Sequence, residues 1–120
     1  MAIKITKKSR DFSKIDIYAL TIAPDMVSIK DVEDGTILDV DGFIRFTDTE
    51  NTGNDGEVDL LAIMTKTGEV YATQSKTFMR SFEDIFEIME TDVFPIEKIS
   101  GETKAGRPFV NCVLSRISLK

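Results

Sequence analysis

Ser81-Phe82-Glu83-Asp84-Ile85-Phe86-Glu87-Ile88-Met89-Glu90 is the stretch on which the fold turns. Phe82, Ile85, Phe86 and Met89 fall at i, i+3, i+4 and i+7, the spacing of one apolar stripe, and predict a short amphipathic helix over residues 81–90. Ser81 is placed to cap its first turn, where Glu83 and Asp84 suit the positive end of the helix dipole. A phenylalanine-rich stripe of this kind is a core plug far more often than a ligand site.

Outward from that helix the chain reads as strands. Lys14 to Ala23 is rich in β-branched residues and stops at Pro24, which predicts a strand and a turn. Asp34-Gly35 opens a second strand over 36–47, with Gly42 inside it as the place for a bulge or sharp bend. Asp48 to Gly56 lacks apolar residues and predicts a long exposed loop. Residues 58–65 and 69–73 flank Lys66-Thr67-Gly68 as a hairpin, and 93–99 with 109–117 form a last pair. The order is strand, strand, hairpin, helix, hairpin. It predicts a mainly β fold, an OB-fold five-stranded barrel with one short helix before the final hairpin, in a single domain over 1–120. Residues 1–12 are left free to serve as a flexible basic arm.

The chain has 120 residues, 42% hydrophobic and 30% charged, the profile of one globular domain. It has no histidine and one cysteine, Cys112, so His-based catalysis, Cys/His metal sites and an internal disulfide are excluded. No phosphate-binding glycine loop, nucleophile elbow or dinucleotide fingerprint is present, and the expectation is a protein that is not an enzyme and needs no cofactor. Asp39 and Asp41 share a strand face, but no further ligand set with a known spacing joins them; a solvated acidic surface is the better reading, and no metal is expected. No stretch approaches the roughly 18 apolar residues of a membrane span, and a cytoplasmic location is expected.

The net charge of −6 counts against a polyanionic partner, but its distribution answers the objection. Residues 1–14 sum to +4, 15–60 to −10, 61–92 to −3 and 93–120 to +3. A barrel that joined the two basic ends would present one cationic face. Lys104-Ala105-Gly106-Arg107-Pro108-Phe109 sets two cations and a ring around a hairpin tip, suited to phosphates and a stacked base, or else to a solvated turn and a core ring. Lys7, Lys8, Arg10 and Lys14 form an electrostatic arm or a solubilising terminus. Tyr18 and Tyr71 present rings to bases or stand half-buried. On the second strand Phe43 and Arg45 point one way and Phe46 the other. Lys76 and Arg80 lie in a polar bridge into the helix, as phosphate contacts or as a connector.

With these residues in view the chain resembles a known family. Gly68-Glu69-Val70-Tyr71-Ala72-Thr73-Gln74-Ser75-Lys76-Thr77-Phe78, the helix through Phe82 and Phe86, and the Lys104 to Phe109 tip resemble the small single-stranded DNA-binding proteins of lactococcal and related phages. The resemblance implies an OB fold, dimerisation or higher assembly, and binding with little sequence preference. It also implies a role in phage DNA replication or recombination beside a recombinase or single-strand annealing protein, in the host cytoplasm. Bacterial single-strand binders end in an acidic recruiting tail, whereas this chain ends in Ser115-Arg116-Ile117-Ser118-Leu119-Lys120. Partner recruitment by that tail is therefore not expected. A rival reading is a protein-interaction module that presents the acidic middle to a host enzyme as a nucleic-acid mimic.

Overall fold

The computed structural model describes residues 3–51 and 56–115. Its elements are β1 (Ile3–Lys8), α1 (Lys14–Thr21), β2 (Val27–Ser28), a single 3-10 turn (Ile29–Asp31), β3 (Ile37–Asn51), β4 (Gly56–Thr65), β5 (Val70–Thr73), α2 (Lys76–Met89), β6 (Val93–Glu102) and β7 (Pro108–Leu114). The sheet runs β2-β5-β4-β3-β6-β7, with β1 on β3. It curls into a half-barrel. β3 to β7, with α2 ahead of the β6–β7 hairpin, supply five strands in an OB-like order without the strand expected over 14–23, and β1, β2 and α1 are additions to it.

Gly42 makes the curl possible. Its φ of +104° lies in the region open to glycine, and the β3–β4 register shifts between Val40 and Phe43. Before this bend β3 pairs with β6 through 37–41; beyond it β3 pairs with β1 through 44–48. The predicted bend is thus found where expected.

Alternation along the strands splits the apolar residues into two cores. Phe43, Leu61, Ile63, Phe94 and Ile96 face inward, where α2 inserts Phe78, Met79 and Phe82. Phe43 meets Phe82 and Phe86 edge to face, both centroid pairs 4.9 Å apart. Ile44, Phe46, Ala62 and Val70 face outward and are covered by Leu20 of α1.

Three expectations are corrected. The Lys14 to Ala23 segment is not a strand: residues 14–21 are helical, capped by the Ser13 hydroxyl, which accepts from the Asp16 N–H at 3.2 Å, and laid on the sheet by Leu20. Burying Leu20 over an otherwise uncovered apolar face outweighs the weak strand preference of Ile15, Ile17 and Tyr18. The second correction is that α2 begins at Lys76, not Ser81, because the Ser75 hydroxyl accepts from Phe78 N–H at 3.2 Å and Phe78 extends the buried stripe by one turn. Lys76 and Arg80 are therefore helical, not part of a bridge. Third, Ile3 to Lys8 is no free arm but strand β1, and just after it the Ser9 N–H donates to the Phe43 carbonyl at 3.0 Å. The long loop expected over 48–56 is also shortened, because β3 runs on to Asn51 and β4 begins at Gly56; residues 52–55 and the basic end at 116–120 lie outside the described residues.

Candidate nucleic-acid interface

In the described residues β5 and β7 do not pair, so the curled sheet stays open between them. The Ser75 hydroxyl donates to the Val110 carbonyl at 3.1 Å, across from the end of β5 to β7. Beside this hydrogen bond lies a cleft of 840 Å³ between β2/β5 and the β6–β7 hairpin. Met26, Val27, Leu60, Ala72, Pro108, Phe109 and Val110 supply apolar walls; Ser28, Lys30, Thr73, Gln74, Ser75, Lys98 and Ser100 supply the polar ones. Among the described residues no carboxylate lines it, although the chain carries 21 acids against 15 basic residues. A trough with apolar walls, hydroxyls and cations suits bases on one side and phosphates on the other.

Phe109 is seated by its cross-strand partner. Gly101 pairs with Phe109, and a Cβ on Gly101 would stand 2.8 Å from the ring Cζ. The ring therefore occupies the space a side chain at 101 would take. Lys98 is 4% exposed and its ammonium donates to Asp34 Oδ1 at 2.7 Å; Ser100 hydrogen-bonds the other oxygen of the same carboxylate. Lys98 first, and Ser100 after it, hold the Asp34 carboxyl below the usual carboxylate range.

The cations sort into two groups. Lys7 reaches Glu83 at 3.5 Å and lies over the Phe86 ring, Lys8 reaches Asp11 at 3.2 Å, and Arg45 donates to Glu83 at 2.9 Å while its Nε is buried without a partner. Arg10 clamps Asp92 at 2.6 Å and Asp41 at 2.7 Å, which raises the guanidinium above its ordinary range, the Asp92 hydrogen bond contributing most. These four are tied into the fold. Lys14, Lys30, Lys76, Arg80, Lys104 and Arg107, by contrast, have no carboxylate within ion-pair distance among the described residues. Lys104 and Arg107 stand exposed on the hairpin tip above the cleft walls at Pro108 and Phe109.

A family model described as phage single-stranded DNA-binding protein matches residues 3–115 of this chain. The chain belongs to the phage single-stranded DNA-binding protein family. No curated protein and no solved structure matches it. Membership carries the DNA-binding role and the phage class, and does not single out the lactococcal-type members.

In OB-like barrels the faces of the second and third strands and the loops joining strands one to two and four to five are the general nucleic-acid surfaces. The corresponding elements of this chain are β4, β5 and the β6–β7 hairpin, beside which the cleft lies, while the connection between β3 and β4 is outside the described residues. The other expected contacts are scattered. β1 pairs with the 44–48 end of β3, while β6 runs past the 37 end toward its tip, so the lysines of β1 and the Lys104–Arg107 tip sit at opposite ends of β3 and do not merge into one face. Arg45, Lys76 and Arg80 share a recess of 400 Å³ with Asp59, Glu83, Asp84 and Glu87, where carboxylates outnumber cations. Tyr71 is half-buried against the inner core, and burial, with Glu69 adding to it, raises its phenol above the ordinary value. Lys14 and Tyr18 are carried by α1 on the outer side of the sheet.

Gly101, Lys30, Gln74, Lys98 and Ser100 were not singled out in the sequence. Lys98 carried a signal: it continues the inward run Phe94, Ile96, a position where an unpaired lysine is not tolerated. No helix among the described residues is long and apolar enough to cross a membrane.

Proposed function

We propose that the chain coats single-stranded DNA with little sequence preference through the cleft between β5 and the β6–β7 hairpin, by binding alone and without catalysis. Phe109 stacks on a base against the apolar wall, while Lys104, Arg107 and Lys30 take successive phosphates. The observation that carries this reading is a cleft with no carboxylate among its described lining residues, with Lys30 in its wall and the exposed Lys104 and Arg107 beside it, on a protein of net charge −6. Sequence tolerance follows because a ring and a set of cations meet only the features every nucleotide shares.

In the cell the proposed setting is phage DNA replication or recombination in the host cytoplasm, with exposed strands handed to a recombinase or single-strand annealing protein. The decisive experiment is an amide NMR titration of the full chain with oligo-dT. The reading expects the largest shifts at Lys30, Gln74, Gly101 and Phe109; shifts confined to β1 and the outer face of α1 would overturn it.

A further inference from the structure

Lys98 and Ser100 are two residues apart on β6, so alternation puts both side chains on one face of the strand, and both line the cleft. The Asp34 carboxylate, from the segment between the 3-10 turn and β3, accepts from both: the Lys98 ammonium donates to Oδ1 at 2.7 Å and the Ser100 hydroxyl to Oδ2. Lys98 is buried, whereas the Asp34 side chain is 57% exposed. A buried ammonium and a hydroxyl that converge on two anionic oxygens make an anion site. Its occupant is a side chain open to solvent.

The segment that carries Asp34 is held by its backbone as well. Gly35 N–H donates to the Lys98 carbonyl at 2.8 Å, and Lys98 N–H donates to the Thr36 carbonyl at 3.0 Å. The carboxylate can therefore turn away into water while residues 35 and 36 stay on β6. Rotation of one exposed side chain is a fast, local motion. The opened site does not stay empty, because a buried ammonium without a counter-ion is strongly disfavoured. A phosphodiester fits the place: its two unesterified oxygens offer the same charge and the same pair of acceptors as the carboxylate. Lys30, exposed in the same cleft lining, adds a second cation, and no described carboxylate lines the cleft to repel the incoming anion.

We propose that Asp34 is a built-in stand-in for a DNA phosphate: its carboxylate fills the Lys98–Ser100 site in the free chain, and a phosphodiester of the bound single strand displaces it and takes both donors. The exchange rests on the proposed reading of the cleft as the strand's binding site. It keeps Lys98 paired in both states and reduces affinity by the strength of the contact given up. It also selects strands over free anions. A tethered carboxylate competes at a high effective concentration, which a lone phosphate ion does not match but a phosphate on an already anchored strand does.

The test is a set of oligo-dT titrations by fluorescence anisotropy on the full chain, with the folding of each variant checked by thermal melting. Asp34→Asn removes the competing charge and is expected to tighten binding roughly fivefold. Glu33→Gln makes the same charge change at the neighbouring exposed residue and is expected to alter binding by no more than about twofold. In a Lys98→Met background Asp34→Asn also gains no more than about twofold, because the donor it would free is gone. A purely structural clamp predicts weaker binding by Asp34→Asn. Asp34→Asn binding no tighter than Glu33→Gln, or keeping its gain without Lys98, overturns the proposal.

The wild type supplies a second readout that does not depend on any variant folding. Its Asp34 carboxyl 13C resonance at neutral pH is expected to move toward that of a free carboxylate as oligo-dT saturates the protein, while inorganic phosphate at the same ionic strength leaves it in place. A stationary resonance in the saturated complex, or equal movement with inorganic phosphate, overturns the exchange and leaves the binding reading standing. Failure of oligo-dT to bind at all overturns both.

Discussion

Phe109 lies over Gly101 across the β6–β7 ladder, so closely that a Cβ at position 101 would stand 2.8 Å from the ring Cζ and 3.2 Å from Cε1. The missing side chain gives the ring its seat on the cleft wall. Phe109→Ala is expected to weaken oligo-dT binding by about 1–3 kcal/mol, the usual worth of one base on one ring. Gly101→Ala displaces the ring without removing it, so its loss falls between wild type and Phe109→Ala. Anisotropy titrations of the three proteins check the order; Gly101→Ala binding as tightly as wild type beside a weakened Phe109→Ala would contradict it.

Gly42 is more constrained. It combines a φ of +104° with the Phe12 ring, whose Cζ would lie 2.9 Å from a new Cβ, and its N–H donates to the Asp92 carbonyl at 2.9 Å. Gly42→Ala is expected to cost about 2–3 kcal/mol, from backbone strain and the displaced ring together. Urea unfolding measures it, and a change below about 0.5 kcal/mol, the range of neutral surface substitutions, would deny the bend its role.

How much of this was legible in the sequence depended on where the deciding information lay. The bend at Gly42, the opposed faces of Phe43 and Phe46 and the core stripe of α2 follow from period and from glycine's backbone freedom, which are local. α1 is different: its β-branched residues favour a strand, and what makes them helical is an apolar sheet face built from Ile44, Phe46, Ala62 and Val70, far away in sequence. The candidate site was partly legible for the same reason. Lys104, Arg107 and Phe109 announce themselves as a hairpin tip, but Gly101 matters only through a cross-strand neighbour. Nor does anything local reveal that Lys7, Arg10 and Arg45 are occupied by carboxylates more than 30 residues distant; only Lys8 has its partner, Asp11, close by in sequence.

Arg10 joins the turn after β1 to Asp92 and Asp41, and Asp92 also accepts from the Ser9 hydroxyl at 2.8 Å. The Arg10 hydrogen bond, as the main cause, holds the Asp92 carboxyl below its ordinary range. A carboxyl lowered on folding stabilises the fold above its unfolded pKa of about 3.9, and that contribution fades as pH falls through the lower folded value. Asp92→Asn is therefore expected to cost about 1–2 kcal/mol at pH 7. The gap to wild type should begin to narrow below about pH 4 and close only once pH has fallen through the lowered folded value, where both side chains are neutral. A gap that stays constant from pH 7 to pH 3 would contradict the assignment.

Cys112 lies in the inner core, with burial pushing its thiol up to about 12. Native protein at pH 8 is expected to resist thiol reagents and to react fully in denaturant. Labelling of the folded chain at the rate of the unfolded one would place the thiol outside the core.

The central claim is that single-stranded DNA is held at the cleft by the hairpin-tip cations, and it is tested most directly by fluorescence anisotropy of labelled oligo-dT at a series of salt concentrations. Wild type is compared with Lys104→Glu/Arg107→Glu and with Lys7→Gln/Lys8→Gln. Each phosphate that a cation no longer neutralises lowers the slope of log K against log salt by about 0.7 on single strands, so the tip variant should bind more weakly and its slope should fall by about 1.4. The β1 variant should keep the wild-type slope, and duplex DNA should compete poorly in every case. A tip variant that binds like wild type, with the weakening falling instead on the β1 variant, would contradict the account.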